Sequence, residues 1–172
     1  MRIRNIAVKL TFSISMSLLL ATSARAAGDL VFDINYVDEC EEVSPNVANF
    51  PVTQHVVVTL HDGNRVTERR NWQSPRQSGA IATEGAMGAE VTAGRIAVAW
   101  HVQSQNSLIR YRTFPQHVEE LHIAVSGQSC KATVQHRLKP GFNTFERFGR
   151  QWEEHFFSSI ISTGITCAVT PQ

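Results

Sequence analysis

Apolar and polar residues alternate along most of the chain from Leu30 onward. In the first such stretch, Leu30, Phe32, Ile34 and Tyr36 place an apolar or aromatic side chain at every second position. The same alternation recurs in residues 55–61, 96–102, 120–125 and 130–139. Because successive side chains of a β-strand point to opposite faces, this period predicts strands with one face on a core and the other in water.

Turn-forming residues separate the predicted strands. His61-Asp62-Gly63-Asn64 predicts a hairpin, since Asp-Gly accepts the positive φ of a type I′ turn. Ser126-Gly127-Gln128 predicts a second hairpin. Seven or eight short strands joined by such turns are typical of an antiparallel β-sandwich, immunoglobulin-like in general architecture. A small closed β-barrel is the alternative fold.

Two stretches depart from the alternation. Residues 73–89 are rich in glycine and serine with little apolar mass, which predicts a long loop that is mobile or functional. In residues 143–157, Phe145, Phe148, Trp152 and Phe156 fall on one helical stripe. This spacing predicts one short C-terminal helix, with an aromatic-rich loop as the alternative.

The first 26 residues have the features of a secretory signal peptide. A basic start is followed by an apolar run, Leu10 to Ala21, and then by Ala24-Arg25-Ala26, a small-x-small cleavage pattern. The run is shorter than the roughly 20 residues that a membrane-spanning helix needs. We therefore expect a cleaved leader (1–26), a single β-rich domain (27–172), a periplasmic or secreted location, and no stable membrane span after cleavage.

Removal of the leader changes the charge balance. Of the 16 basic residues, four lie in the leader (Arg2, Arg4, Lys9 and Arg25), whereas all 15 acidic residues lie after it, so the net charge falls from +1 to −3. Nucleic-acid-binding domains normally carry a basic excess. The mature charge argues against a nucleic-acid partner.

The three cysteines, Cys40, Cys130 and Cys167, all follow the leader, and an oxidising compartment allows two of them to form a disulfide. Loop-closure entropy does not discriminate between the three possible pairs. Cys40 and Cys130 are each expected at a strand end, whereas Cys167 is expected mid-strand. We therefore predict the pair Cys40–Cys130, with Cys167 left as a buried thiol.

No catalytic or metal-binding motif stands out in the sequence. The histidines lack the tight local spacing of a zinc site, although the strand period places His136 on an inward face. Adjacent carboxylates such as Glu119 and Glu120 point to opposite faces of a strand, and we interpret them as solvated charge. A serine-hydrolase elbow and a glycine-rich phosphate loop are both missing from the sequence. The sequence thus indicates a non-enzymatic protein and implies no cofactor.

Arginines next to aromatic residues provide the candidate binding face. Arg110, Arg112 and Phe114 share one face of a predicted strand, and Trp72 follows an arginine pair. This composition is common at protein-binding surfaces. We therefore predict a non-catalytic module that binds a protein or another envelope component. The alternative is a periplasmic copper- or zinc-binding protein that uses histidines from several strands.

Overall fold

The structure, a computed structural model, describes residues 28–42, 50–62, 64–75, 77–148 and 154–172. In these residues the chain forms eleven strands and no helix. The strands are β1 (Leu30–Glu42), β2 (Phe50–His61), β3 (Arg65–Gln73), β4 (Ser78–Ala86), β5 (Glu90–Ala93), β6 (Ile96–Ser104), β7 (Ser107–Thr113), β8 (His117–Ser126), β9 (Ser129–Leu138), β10 (Phe145–Phe148) and β11 (Glu154–Pro171).

The strands build two antiparallel sheets that pack face to face and do not close into a barrel. The larger sheet has the order β10-β11-β1-β2-β3-β4, and the smaller sheet has the order β5-β6-β7-β8-β9. The predicted β-sandwich is confirmed. Within it, each sheet is largely a meander of sequential hairpins, because only the return of β11 to pair with β1 joins strands distant in sequence.

The sandwich interior is apolar at both ends and polar in the middle. The large apolar cluster contains Leu30, Phe32, Ile34, Tyr36, Val56, Val58, Val66, Val98, Trp100, Leu108, Leu121, Ile123, Ala132 and Val134. The small apolar cluster contains Cys40, Val52, Phe145, Phe157 and Ile160. Between them lies what we call the polar layer, which contains Tyr36, Asp38, Gln54, Glu68, Arg70, Arg110, Arg112, Glu119 and His136.

The strand period itself creates this layering. On β8, every second residue faces inward, so Ile123 and Leu121 enter the large apolar cluster and Glu119 enters the polar layer. The same register on β1 carries Asp38 inward between Tyr36 and Cys40. Strands from both sheets therefore contribute an apolar residue and then a charged one at the same depth.

A bulge on β11 adjusts its alternation to that of β1. The pairing of the two strands shifts between Asn35 and Val37, where two β11 residues oppose Tyr36. Gly164 lies at this shift with a φ of 60°, a left-handed conformation that glycine adopts without steric cost. The bulge lets Ser162 point inward on one side of the shift and Cys167 on the other.

The disulfide differs from the predicted pair. Cys130 on β9 is joined to Cys167 on β11, with their Cα atoms 5.6 Å apart, and Cys40 is buried and takes no part in the disulfide. The prediction of Cys40–Cys130 is wrong because Cys40 faces inward within the small apolar cluster at the far end of the sandwich. The observed bond instead joins the two sheets across the edge where β9 lies along β11.

The C-terminal helix prediction is also wrong. Residues 145–148 form β10, which pairs with the start of β11 so that Phe145 lies opposite Phe157. Both of these side chains are buried in the small apolar cluster, and this burial replaces the aromatic helix stripe. Trp152, the third residue of that stripe, lies outside the described residues.

The loop predicted for residues 73–89 is largely strand. Ser78 to Ala86 form β4, which pairs with β3 over its full length. Its small residues have a structural reason: a Cβ on Gly79 would overlap the indole ring of Trp72, and one on Gly85 would meet the side chain of Val91. The small residues of this edge strand leave room for the side chains of Trp72 and Val91, which explains its low apolar content.

Both predicted hairpins are present. Strands β2 and β3 pair up to His61 opposite Arg65, and Asn64 just before β3 has a φ of 73°. Strand β8 turns into β9 through two residues, with Gly127 at a φ of 61°. The predicted leader, 1–26, lies outside the described residues, and those residues contain no helix long and apolar enough to cross a membrane.

Candidate functional site

The predicted binding face lies inside the sandwich. Arg110 is 0% exposed, Arg112 5% and Phe114 4%. These residues share one face of β7, as the sequence predicts, but that face packs against the six-stranded sheet. Their proposed role as an exposed protein-binding face is therefore wrong. Trp72, the fourth predicted residue, is half-buried against the small apolar cluster.

Arg110 connects the two sheets through buried carboxylates. Its Nη1 donates to Glu68 Oε1 on β3 over 2.7 Å, and its Nη2 donates to Glu119 on the adjacent strand β8. Glu68 also accepts a hydrogen bond from Trp100 Nε1 at 3.0 Å. Charge-assisted bonds of this kind are the strongest in proteins, and both partners here are shielded from water.

Glu119 is the centre of the polar layer. Its two oxygens accept hydrogen bonds from Tyr36 at 3.2 Å, from Arg112 at 3.0 Å and from Arg110, and Arg70 lies 3.5 Å away. The interpretation of Glu119 as solvated charge is wrong, since its side chain is fully buried. Groups from both sheets therefore converge on this single carboxylate.

The charges of the polar layer balance. Three carboxylates (Asp38, Glu68 and Glu119) face three guanidinium groups (Arg70, Arg110 and Arg112). Balance is required because an uncompensated buried charge costs several kcal/mol. Burial by itself lowers the pKa of Arg110, but the carboxylates of Glu68 and Glu119 outweigh that effect and raise it above its usual value.

Tyr36 remains protonated in this environment. Burial, followed by the negative charge of Glu119, raises the pKa of its phenol well above 10. The phenol thus acts as a hydrogen-bond donor to Glu119 and not as a source of charge. Its position on β1 ties the central strand of the larger sheet to the smaller sheet.

His136 faces inward, as the strand period predicts, and its side chain is 1% exposed. Its Nε2 lies 3.2 Å from Asp38 Oδ1 and 3.1 Å from Ser162 Oγ, and Ser162 also donates to Asp38. In a hydrolase triad, serine and aspartate contact different ring nitrogens. Here both contact Nε2, so the three residues do not have the geometry of a catalytic triad. Because His136 lies on β9 and the other two lie on β1 and β11, these contacts join the two sheets.

A metal ion fits this region by distance but not by charge. Ligand atoms of Asp38, Glu119 and His136 lie within 4.8 Å of one another. However, Glu119 already accepts from Arg110 and Arg112, and a divalent cation beside these guanidinium groups would unbalance the layer. Ser162 and Gln54 likewise occupy the oxygens of Asp38.

A groove of about 650 Å³ lies on the outer face of the six-stranded sheet. It crosses the strands, from Gly164 on β11 to β4 at the sheet edge. Its walls are side chains that point outward from β1, β2, β3 and β4: Asn35, Val37, Thr53, His55, Asn71, Gln73, Ser78 and Ala80. Its volume is in the range of small-ligand sites, but it is shallow and open to solvent.

The polar layer supports the floor of this groove. Tyr36, Gln54, Trp72 and Gly79 alternate with the outward-facing residues, so they contribute backbone to the floor while their side chains, where present, point inward. Gln54 donates to Asp38 at 2.9 Å and accepts from Arg70 at 3.0 Å. A bonded network of charges thus fixes the strands whose opposite face forms the groove.

The groove is uncharged, and its surface is a mixture of polar and apolar groups with the apolar part somewhat larger. Of the described residues that line it, none carries a carboxylate, guanidinium or ammonium group. Its imidazole, His55, lies 3.2 Å from Asp33 on the neighbouring strand. No hydrogen bond joins the side chains of Asn71 or Gln73 to another described residue, so both amides are available to a ligand. The available chemistry is hydrogen bonding by amides and hydroxyls.

None of the wall residues of this groove stands out in the sequence as a ligand site, although Trp72, a predicted binding residue, contributes to its floor. Its walls come from four strands, and Asn71 and Gln73 are ordinary outward positions on one of them. The available signal was the group of uncharged polar residues Thr53, Asn71, Gln73 and Ser78 at outward positions of three successive strands. Comparison with protein-family models, curated proteins and solved structures finds no match to this chain.

Proposed function

We propose that the protein is an exported, non-catalytic binding module whose outer groove takes a neutral, hydroxyl-rich component of the cell envelope, namely a glycan chain. The leader-like residues 1–26 support export. The disulfide Cys130–Cys167 is consistent with an oxidising compartment.

One observation carries the ligand class: an uncharged groove with amide and hydroxyl walls. Sugar hydroxyls both donate and accept hydrogen bonds, as do the side-chain amides of Asn71 and Gln73. A ligand rich in charge would find no opposite charge among the described residues that line the groove.

The dimensions of the groove favour an extended chain. Five strands, from β11 to β4, contribute to it, and at about 4.8 Å between strands they span roughly 19 Å. An extended pyranose chain advances by about one strand spacing per sugar. Three to four sugars therefore fill the groove when the chain runs across the strands.

Amide-resolved NMR titration tests the proposal. Neutral oligosaccharides (chito-, cello- and malto-oligomers) and an anionic one (oligogalacturonate) are added separately to the chain without the predicted leader, residues 27–172, which we call the processed chain. We expect a neutral oligomer to shift the amides of residues 35–37, 53–55 and 71–73. The double variant Asn71→Ala/Gln73→Ala should weaken that binding at least fivefold.

The matched control removes polar groups from the opposite face of the molecule. Thr133 and Gln135 are exposed on β9, outside the groove, and the double variant Thr133→Ala/Gln135→Ala should bind normally. Shifts caused only by the anionic oligomer, or shifts centred on the five-stranded sheet, would refute the assignment of the groove.

Metal binding is the second candidate function, and the distances among Asp38, Glu119 and His136 are the observation in its favour. We rank it lower because the neighbouring arginines already neutralise these carboxylates. Elemental analysis of purified protein distinguishes the two functions. Stoichiometric copper or zinc that is lost in His136→Ala would establish metal binding.

A further inference from the structure

The edge strand β4 has an unusually open character. It is nine residues long and contains no proline, arginine or lysine. Its single charged residue, Glu84, is held by Arg65 of β3 at 2.8 Å. Natural sheets block such edges with charges, prolines, bulges or short strands, because the unpaired N–H and C=O groups of an edge accept another strand.

The edges of the five-stranded sheet are blocked by these means. Strand β5 has only four residues. Strand β9 carries Lys131 and Arg137, lies along β11 and is tied to it by the disulfide. These two edges therefore lack the openness of β4.

The part of β4 that is available to a partner is its first six residues. Gly85 packs against Val91 where the chain crosses to the smaller sheet, and this contact covers the end of the strand. Residues 78–83 precede this crossing. A strand of this length presents about three N–H and three C=O groups outward, the alternate half of its backbone groups.

Arg69 provides a charge beside this edge. It lies on β3 directly opposite Ala82, its side chain is exposed, and it forms no ion pair with any described residue. The methyl group of Ala82 is too small to screen it. A strand added beyond β4 would lie about 9.6 Å from β3, within reach of the long arginine side chain.

We propose that residues 78–83 accept an extended polypeptide segment from a partner protein, with an acidic side chain opposite Ala82 that pairs with Arg69. Backbone hydrogen bonds hold the segment, and the ion pair sets its register, as in other modes of β-strand addition. This surface adjoins the proposed glycan groove, because Ser78 and Ala80 line the groove as well. It differs in what it offers a ligand: the unpaired backbone groups of β4 and the charge of Arg69, in place of the uncharged side chains of the groove.

Three synthetic peptides serve as the probes: a nine-residue alternating Thr/Val peptide with a central Glu, the same peptide with a central Lys, and the Glu peptide with N-methyl groups on alternate amides. Each is added to the processed chain, and binding is followed by amide chemical shifts. We expect the Glu peptide to shift residues 78–83, the Lys peptide to bind at least fivefold more weakly, and the methylated peptide not to bind.

Charge reversal tests the role of Arg69. Arg69→Glu should invert the preference, so that the Lys peptide binds better than the Glu peptide. Lys131→Glu, the same charge change on the edge strand β9, should leave both affinities unchanged. Equal binding of the methylated peptide, shifts away from residues 78–83, or a preference that survives Arg69→Glu would each overturn the proposal.

Self-association is measured in the same samples. Sedimentation velocity of the protein without peptide should show a monomer, because Arg69 in this scheme pairs with an acidic strand from another protein. A concentration-dependent dimer whose interface shifts residues 78–83 would replace the partner segment by a second copy of the chain and overturn the proposal as stated.

Discussion

The large apolar cluster and the polar layer both fill the space between the two sheets, but with different kinds of side chain. At one end, Phe32, Ile34 and Leu121 fill the space between the sheets with apolar volume. In the middle, Glu68, Arg110 and Glu119 fill it with compensated charge. The side chains of both regions are buried, so the two regions differ in specificity and not in exposure. Apolar contacts can be made with many neighbours, whereas each charged group needs a particular partner at hydrogen-bonding distance.

This difference bears on the proposed function. An apolar core can be repacked with other apolar side chains, and it then loses its unique arrangement before it loses stability. The polar layer fixes the register of the two sheets, because Arg110 bonds to Glu68 in one sheet and to Glu119 in the other. The outer groove lies on the opposite face of these same strands, so its walls are held in place before a ligand arrives, which reduces the entropic cost of binding.

The largest predicted effect is loss of the central carboxylate. Glu119→Gln keeps the shape of the side chain but leaves Arg110 and Arg112 without their shared counter-charge. We expect the free energy of unfolding to fall by about 3–5 kcal/mol, the range for breaking one partner of a buried pair. Urea denaturation of the processed chain measures it.

The large apolar cluster supplies the control on the same strand. Leu121 lies two residues from Glu119 and is equally buried. Because it has no specific partner, Leu121→Met should cost less than about 1.5 kcal/mol. Equal losses in the two variants would remove the distinction between the two regions.

The second prediction concerns how the edge between β9 and β11 is closed. At the apolar end, the disulfide closes a loop with a sequence separation of 37 residues. The double variant Cys130→Ala/Cys167→Ala should lose about 4 kcal/mol by the chain-entropy estimate. Beside the polar layer, Ser162→Ala removes a hydrogen bond to the buried carboxylate of Asp38 and should cost about 1.5–3 kcal/mol. Denaturation under non-reducing conditions compares them.

Peptide mapping provides the accompanying check on connectivity. Digestion of unreduced protein should release one peptide pair that joins Cys130 to Cys167, with Cys40 alkylated only after unfolding. A crosslinked peptide that contains Cys40 would contradict the placement of this thiol in the small apolar cluster.

The third and smallest effect is alkaline destabilisation through Tyr36. Its folded pKa is raised well above 10, first by burial and then by Glu119, whereas the unfolded tyrosine ionises near pH 10. Above pH 10 the folded state therefore keeps a proton that the unfolded state has lost. Stability from this group is complete below pH 10 and falls above it by about 1.4 kcal/mol per pH unit.

Comparison of two tyrosine variants isolates this effect. Tyr36→Phe should cost about 1–3 kcal/mol at neutral pH, since it removes a hydrogen bond to a charged group. Its difference from the wild type should shrink as the pH rises above 10. Tyr111→Phe should retain the wild-type alkaline slope, and a parallel slope in both variants would exclude Tyr36 as its source.

The contrast between the apolar clusters and the polar layer also explains which features of the structure the sequence predicts correctly. Two-residue alternation at Leu30, Phe32 and Ile34 is enough to predict strands and a sandwich, because apolar burial needs no particular partner. The aromatic spacing of residues 143–157 predicts a helix, whereas Phe145 and Phe157 pair across the strands β10 and β11. A period of three or four residues in so short a segment does not distinguish the two arrangements.

The polar layer was missed for a different reason. Arg110 and Glu68 lie 42 residues apart, so no local pattern reveals that they pair. Considered separately, each is a charged residue of a type that usually lies on the surface. The strand period did contain the signal: Glu119 falls on the same face as Leu121, and Asp38 lies between Tyr36 and Cys40. A charged residue type predicts exposure for Glu119 and Asp38, whereas their positions in the strand period predict burial. The structure agrees with the positions.

A double-mutant cycle on Glu68 and Arg110 tests the central claim, that compensated charge couples the two sheets. Glu68→Gln, Arg110→Met and the double variant are compared with the wild type by urea denaturation. We predict that each single variant is strongly destabilised and that the double variant loses less than the sum of the two by about 1–3 kcal/mol. Additive losses, within about 0.5 kcal/mol, would contradict the account.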